Sequence, residues 1–72
     1  MIENIAYVIE RERVKKRMTK TEQAAALNLS IGTYFLICRH ASNPSINLVT
    51  DIARRLGVST HELLFGKQLD AR

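Results

Sequence analysis

The 72-residue chain has one cysteine, one proline, three glycines and no tryptophan. A single cysteine, Cys38, excludes an intrachain disulfide and fits a reducing compartment. No apolar run approaches the roughly 18 residues that cross a bilayer, so no membrane partner is expected. The N-terminal MIENIAYVIERERVKKR places its charges after its apolar residues, the reverse of a secretory signal. A cytoplasmic protein is expected. Cys38 and the distant His40 and His61 do not make a zinc spacing, and a buried inert thiol is the better reading of Cys38. No Ser–His–Asp grouping, glycine-rich phosphate loop or carboxylate pair is present. The chain is therefore expected to be no enzyme and to need no cofactor or metal.

What is present suits a small basic globule. Hydrophobic residues make up 46% of the chain, which argues against disorder. Eleven Lys and Arg face seven Asp and Glu, a net charge of +4. That balance fits a polyanionic partner such as nucleic acid, and equally a solvated basic surface. A domain of this length buries only about 60% of its unfolded surface, so its stability is marginal. Between Gln23 and Cys38 there is no charged residue at all, which is unusual in a basic chain.

No segment alternates apolar and polar residues over several positions, so no strand is expected. The pattern is helical and punctuated by caps. Ile2, Ile5, Ala6 and Ile9 form one helical face, followed by the basic RERVKKRMTK. Thr19-Lys20-Thr21-Glu22 is a capping box that opens a short alanine-rich helix. Asn28 ends it in the left-handed conformation. Ser30 caps a third helix to about Arg39, and His40–Asn43 form a loop before Pro44. Ser45 caps a fourth helix with Ile46, Val49, Ile52, Ala53 and Leu56 on one face, and Gly57 stops it. Ser59-Thr60-His61-Glu62 reads as a second capping box, opening a fifth helix that Gly66 ends. The domain is thus 1–66, with 67–72 a polar C-terminal tail. Leu27-Asn28-Leu29-Ser30 and Leu56-Gly57-Val58-Ser59 share one layout: helix end, left-handed residue, apolar plug, new cap. Two short helices joined by such a corner define a helix-turn-helix.

MTKTEQAAALNLS, a nine- or ten-residue helix, and NPSINLVTDIARRLGVSTHELLFG together resemble the lambda-repressor/Cro-like helix-turn-helix (XRE-type) family over residues 18–65. The resemblance implies an all-α, compact five-helix lambda-repressor-like bundle with the helix-turn-helix at about 20–39. It implies a third helix in the major groove of double-stranded DNA and a homodimer on two half-sites. By resemblance, DNA phosphates meet Arg13, Lys20, Thr21, Arg39, Ser42 and Asn43. The dimer interface would use Thr60, His61, Leu64 and Phe65. Four positions depart from the family pattern. Arg17 stands where the family usually has glycine, at a cost of about 1 kcal/mol if the turn needs positive φ. Gln23 and Glu12 stand at commonly apolar positions, so the first helix is expected to shift register towards Val8 or Val14. Cys38 stands where many relatives have a glutamate paired with the arginine equivalent to Arg13, which leaves Arg13 freer to meet a phosphate.

On the third helix, Tyr34 and Ile37 point inward by the family template. Ile31, Gly32, Phe35 and Leu36 fall on the base-facing side, with Thr33 able to bond a phosphate or base. None of the first four is a bidentate polar reader. Three readings stand. The face packs on thymine methyls, the apolar feature of the major groove; it anchors a protein partner, as in an adaptor or antitoxin-like subunit; or it is further covered and is plain core. The first is preferred, and the expected function is a sequence-specific DNA-binding transcriptional regulator, a repressor in its simplest form.

Overall fold

Local capping sets the element boundaries. The computed structural model describes residues 1–71 and contains five helices, α1 Ile2–Lys15, α2 Lys20–Ala26, α3 Ile31–Cys38, α4 Ile46–Leu56 and α5 Thr60–Asp70. The hydroxyls of Thr19, Ser30, Ser45 and Ser59 each accept from the backbone N–H three residues on, at 3.0–3.2 Å. The Thr19 box is complete, because Glu22 also accepts from the Thr19 N–H at 2.8 Å. The expected box at Ser59 is only half formed. The Glu62 carboxylate turns away from the cap and accepts from Arg11 Nη2 at 2.8 Å.

One device closes α1 to α4. Arg17, Asn28, His40 and Gly57 adopt left-handed backbones with φ of 57°, 57°, 60° and 78°. The next N–H in each case reaches back five residues: Met18 to Arg13, Leu29 to Ala24, Ala41 to Leu36 and Val58 to Ala53. This is the Schellman closure, which satisfies orphan carbonyls at a helix end. The corners expected at Asn28 and Gly57 are therefore present, with Leu29 and Val58 half-buried against the core. The turn at Arg17 does require positive φ and carries the strain of a side chain there.

The five helices bury one continuous core. Ile5, Val8 and Ile9 of α1 meet Leu27, Tyr34, Ile37, Val49, Ile52 and Leu63. Each such side chain contributes on the order of 1.5–3 kcal/mol through burial. α1 packs on α3 and α5, α2 on α3, and α4 on α5. Of the two register candidates, Val8 is fully buried while Val14 is 63% exposed. Glu12 and Gln23 are buried all the same, Gln23 by donating from Nε2 to the Ile9 carbonyl at 3.2 Å.

The C-terminus corrects one expectation. α5 does not end at Gly66 but continues to Asp70, so residues 67–70 are helix rather than a polar tail. Two contacts tie this extension to α1: Asp70 accepts from the Tyr7 hydroxyl at 2.9 Å and from Arg11 Nη1 at 2.8 Å. Gly66 lies buried where α5 meets α1. The end of the expected tail, Arg72, lies outside the described residues.

Candidate nucleic-acid interface

α2 and α3 form the corner that matters for recognition. The turn from Leu27 to Ser30 joins them, and Ala24, Leu27, Tyr34 and Ile37 lie in the core beside it. The small Ala24 lets α3 approach α2 closely. With Tyr34 and Ile37 fully buried, the opposite side of α3 is left outward. Ile31, Phe35 and Leu36 are 39%, 43% and 40% exposed, and Gly32 between them is exposed too. The plain-core reading of this face is thereby excluded for the single chain. Thr33 is half-buried and tied to the cap, its Oγ1 accepting from the Ser30 hydroxyl at 2.9 Å.

The cations sort into two groups. Lys15, Lys16, Arg17, Arg39 and Lys67 form no ion pair among the described residues. Arg39, at the C-terminal end of α3, is exposed, as are Thr21 and Asn43, while Ser42 is half-buried. Arg13 and Lys20 are engaged. Arg13 donates from Nε and Nη2 to the Glu10 carboxylate at 3.0 and 3.2 Å, and from Nη1 to the Met18 carbonyl at 2.8 Å. The expectation that Arg13 is freer is thus corrected: Glu10, one turn earlier on α1, takes the role of the absent glutamate. Arg13 holds the α1–α2 turn. Lys20 Nζ donates to Glu10 Oε1 at 2.6 Å, and the Tyr34 hydroxyl donates to Oε2 at 2.6 Å.

Glu10 is therefore the hub between α1, α2 and α3. Burial alone would raise its pKa, but hydrogen bonds from Arg13, Lys20 and Tyr34 outweigh it and hold the carboxyl at about 2. Burial, and then the bond to Glu10, push the Tyr34 hydroxyl upward. Burial also pushes the Cys38 thiol up, consistent with an inert half-buried thiol. Sequence reasoning did not single out Glu10. Its only signal was position: one turn before Arg13 on a helix whose next face is apolar.

The residues expected at a dimer contact lie together on the outer side of α5. Leu63 takes the core position, Thr60 and Leu64 are half-buried, and His61 is exposed. Phe65 is 48% exposed with its ring 5.0 Å from that of His61. Leu69, beyond the expected helix end, continues the same line one turn further and is also exposed.

Five helices with an α2-turn-α3 corner and an outward third helix define a small DNA-binding helix-turn-helix domain. A helix-turn-helix family model matches residues 9–63, more than half of the chain, and the chain belongs to this family, in its lambda-repressor/Cro-like form. No curated protein and no solved structure matches it.

Proposed function

We propose that this protein is a sequence-specific transcriptional regulator, a repressor, that binds two-fold operators as a homodimer in the cytoplasm. α3 enters the major groove. Ile31, Gly32, Phe35 and Leu36 face the bases, with Thr33 beside them. The observation that carries the reading is the outward apolar face of α3 in a helix-turn-helix corner, flanked by the exposed Arg39. Ile31 and Phe35 suit thymine methyl groups, and Gly32 permits close backbone approach. Thr21, Arg39, Ser42 and Asn43 supply phosphate contacts and set the register, with Lys20 beside them at the start of α2 but bonded to Glu10. Thr60, His61, Leu64 and Phe65 pair the two subunits. Selection of bound duplexes from a random pool tests the reading. A two-fold, thymine-containing site is expected, and a pool that stays unenriched overturns it.

The missing polar readers favour one second reading. Ile31, Phe35 and Leu36 would then seat in a protein partner's groove, as in an adaptor or antitoxin-like subunit. Ile31→Asp separates the two: it abolishes capture of a protein partner under this reading, with duplex selection empty in the unsubstituted chain.

A further inference from the structure

We propose that Glu10 is an internal competitor for DNA phosphate, withholding Lys20 from the DNA backbone. The inference rests on the DNA-binding reading above and concerns how tightly that surface grips any duplex. The carboxylate is saturated: Oε1 accepts from Lys20 Nζ at 2.6 Å and Arg13 Nη2 at 3.2 Å, and Oε2 from Arg13 Nε at 3.0 Å and the Tyr34 hydroxyl at 2.6 Å. These four donors match the four lone-pair sites of a carboxylate. Two of the three side chains that supply them are held elsewhere. Arg13 is anchored to the Met18 carbonyl, and Tyr34 is fully buried in the core. Lys20 alone has no second anchor, and its side chain is 40% exposed at the first residue of α2. It is the one ligand of Glu10 able to exchange a carboxylate for a phosphate.

Both ways of making that contact are costly. If Lys20 leaves, it breaks a charge-assisted bond in order to form one. If it stays and bridges, a carboxylate is fixed within a few ångströms of the phosphate, and like charges repel at that range. Glu10 therefore lowers the backbone contribution to affinity, which carries no sequence information. A larger share of discrimination is left to the α3 face. With its carboxyl held at about 2, the group stays ionised at neutral pH, so the competition is constant and not a pH switch. Arg39 faces no such competitor among the described residues, and it supplies the internal comparison.

The test measures binding of the full chain to a 30-base-pair duplex of random sequence across a salt series. Glu10→Gln, nearly isosteric and uncharged, should tighten binding roughly three- to tenfold near 0.1 M salt and steepen the salt slope by about one unit. Lys20→Ala should cancel that gain in the Glu10→Gln background and change binding less than about threefold in the unsubstituted chain. Arg39→Ala in the unsubstituted chain should cost more than Lys20→Ala does. This last comparison holds even if Glu10→Gln fails to fold. Equal losses for Lys20→Ala in both backgrounds, weaker binding by a folded Glu10→Gln, or a Lys20→Ala loss as large as that of Arg39→Ala overturns the proposal. Absence of duplex binding by every variant overturns the underlying DNA-binding reading, and this inference with it.

Discussion

Gly66 of α5 lies so close to Val8 of α1 that a methyl group on Gly66 would stand 2.7 Å from Val8 Cγ2. Val8 is fully buried and β-branched, so it has little freedom to yield. Helix propensity alone favours Gly66→Ala by up to about 1 kcal/mol. Overpacking wins: Gly66→Ala is expected to lower stability by about 1–3 kcal/mol in urea unfolding. Adding Val8→Ala should recover part of that loss, because the cavity accepts the new methyl. Additive losses in the double variant would contradict the close-approach account.

Gln23 makes a second, opposite prediction. Its Nε2 is bonded to the Ile9 carbonyl, but its Oε1 is buried with no partner. An unmet buried acceptor costs about 1–3 kcal/mol, more than the roughly 1 kcal/mol that one net hydrogen bond contributes. Gln23→Met preserves the length of the side chain and removes the unmet acceptor. It should raise the urea midpoint, corresponding to about 1 kcal/mol, with an unchanged m-value. A lowered midpoint would mean that Oε1 is satisfied in solution.

Acid should find Glu10. Its folded pKa, at about 2, lies below the ordinary 4.5, so the folded state favours the ionised form. The stabilisation is complete above pH about 4.5 and is lost as pH falls towards about 2. Partial exposure screens the effect, leaving on the order of 1–2 kcal/mol. The difference in stability between the unsubstituted chain and Glu10→Gln should shrink as pH falls through this window. A pH-independent difference would argue against an ionic hub.

Phe35 separates folding from recognition. Its side chain is 43% exposed, so Phe35→Ala should cost less than about 1 kcal/mol of stability. Duplex selection with that variant should show a relaxed preference at one base pair of each half-site. Unchanged affinity and unchanged preference together would remove the thymine-methyl contact.

Phe65, half-exposed beside His61, is the centre of the proposed subunit contact. Phe65→Lys places a charge there without touching the core residue Leu63. Sedimentation should show a folded monomer with much weakened operator binding. A dimer of undiminished strength would place the interface elsewhere.

Much of this molecule was legible residue by residue. The caps at Thr19, Ser30, Ser45 and Ser59 and the left-handed ends at Asn28 and Gly57 follow from rules that act within one or two turns, while the inward Tyr34 and Ile37 are what the family resemblance implies. The uncharged stretch around α3 is apolar on both sides, so packing puts Tyr34 and Ile37 inside and leaves Ile31, Phe35 and Leu36 outside. The same local rules misjudged Gly66 as a helix end, because its smallness serves a neighbouring helix rather than a turn.

The sequence by itself determined where α2 to α5 start and where α2 to α4 turn, since backbone capping needs no distant partner, and its motifs carried the family resemblance. Only the tertiary structure decided which long side chains meet. Glu10 finds Tyr34 across 24 positions, and Tyr7 finds Asp70 across 63. Arg13 bonds inward, and Glu62 leaves its cap for Arg11. Arg, Lys and Glu side chains reach several ångströms in many rotamers, so packing of the helices selects their partners. That selection settles which cations remain available at the surface.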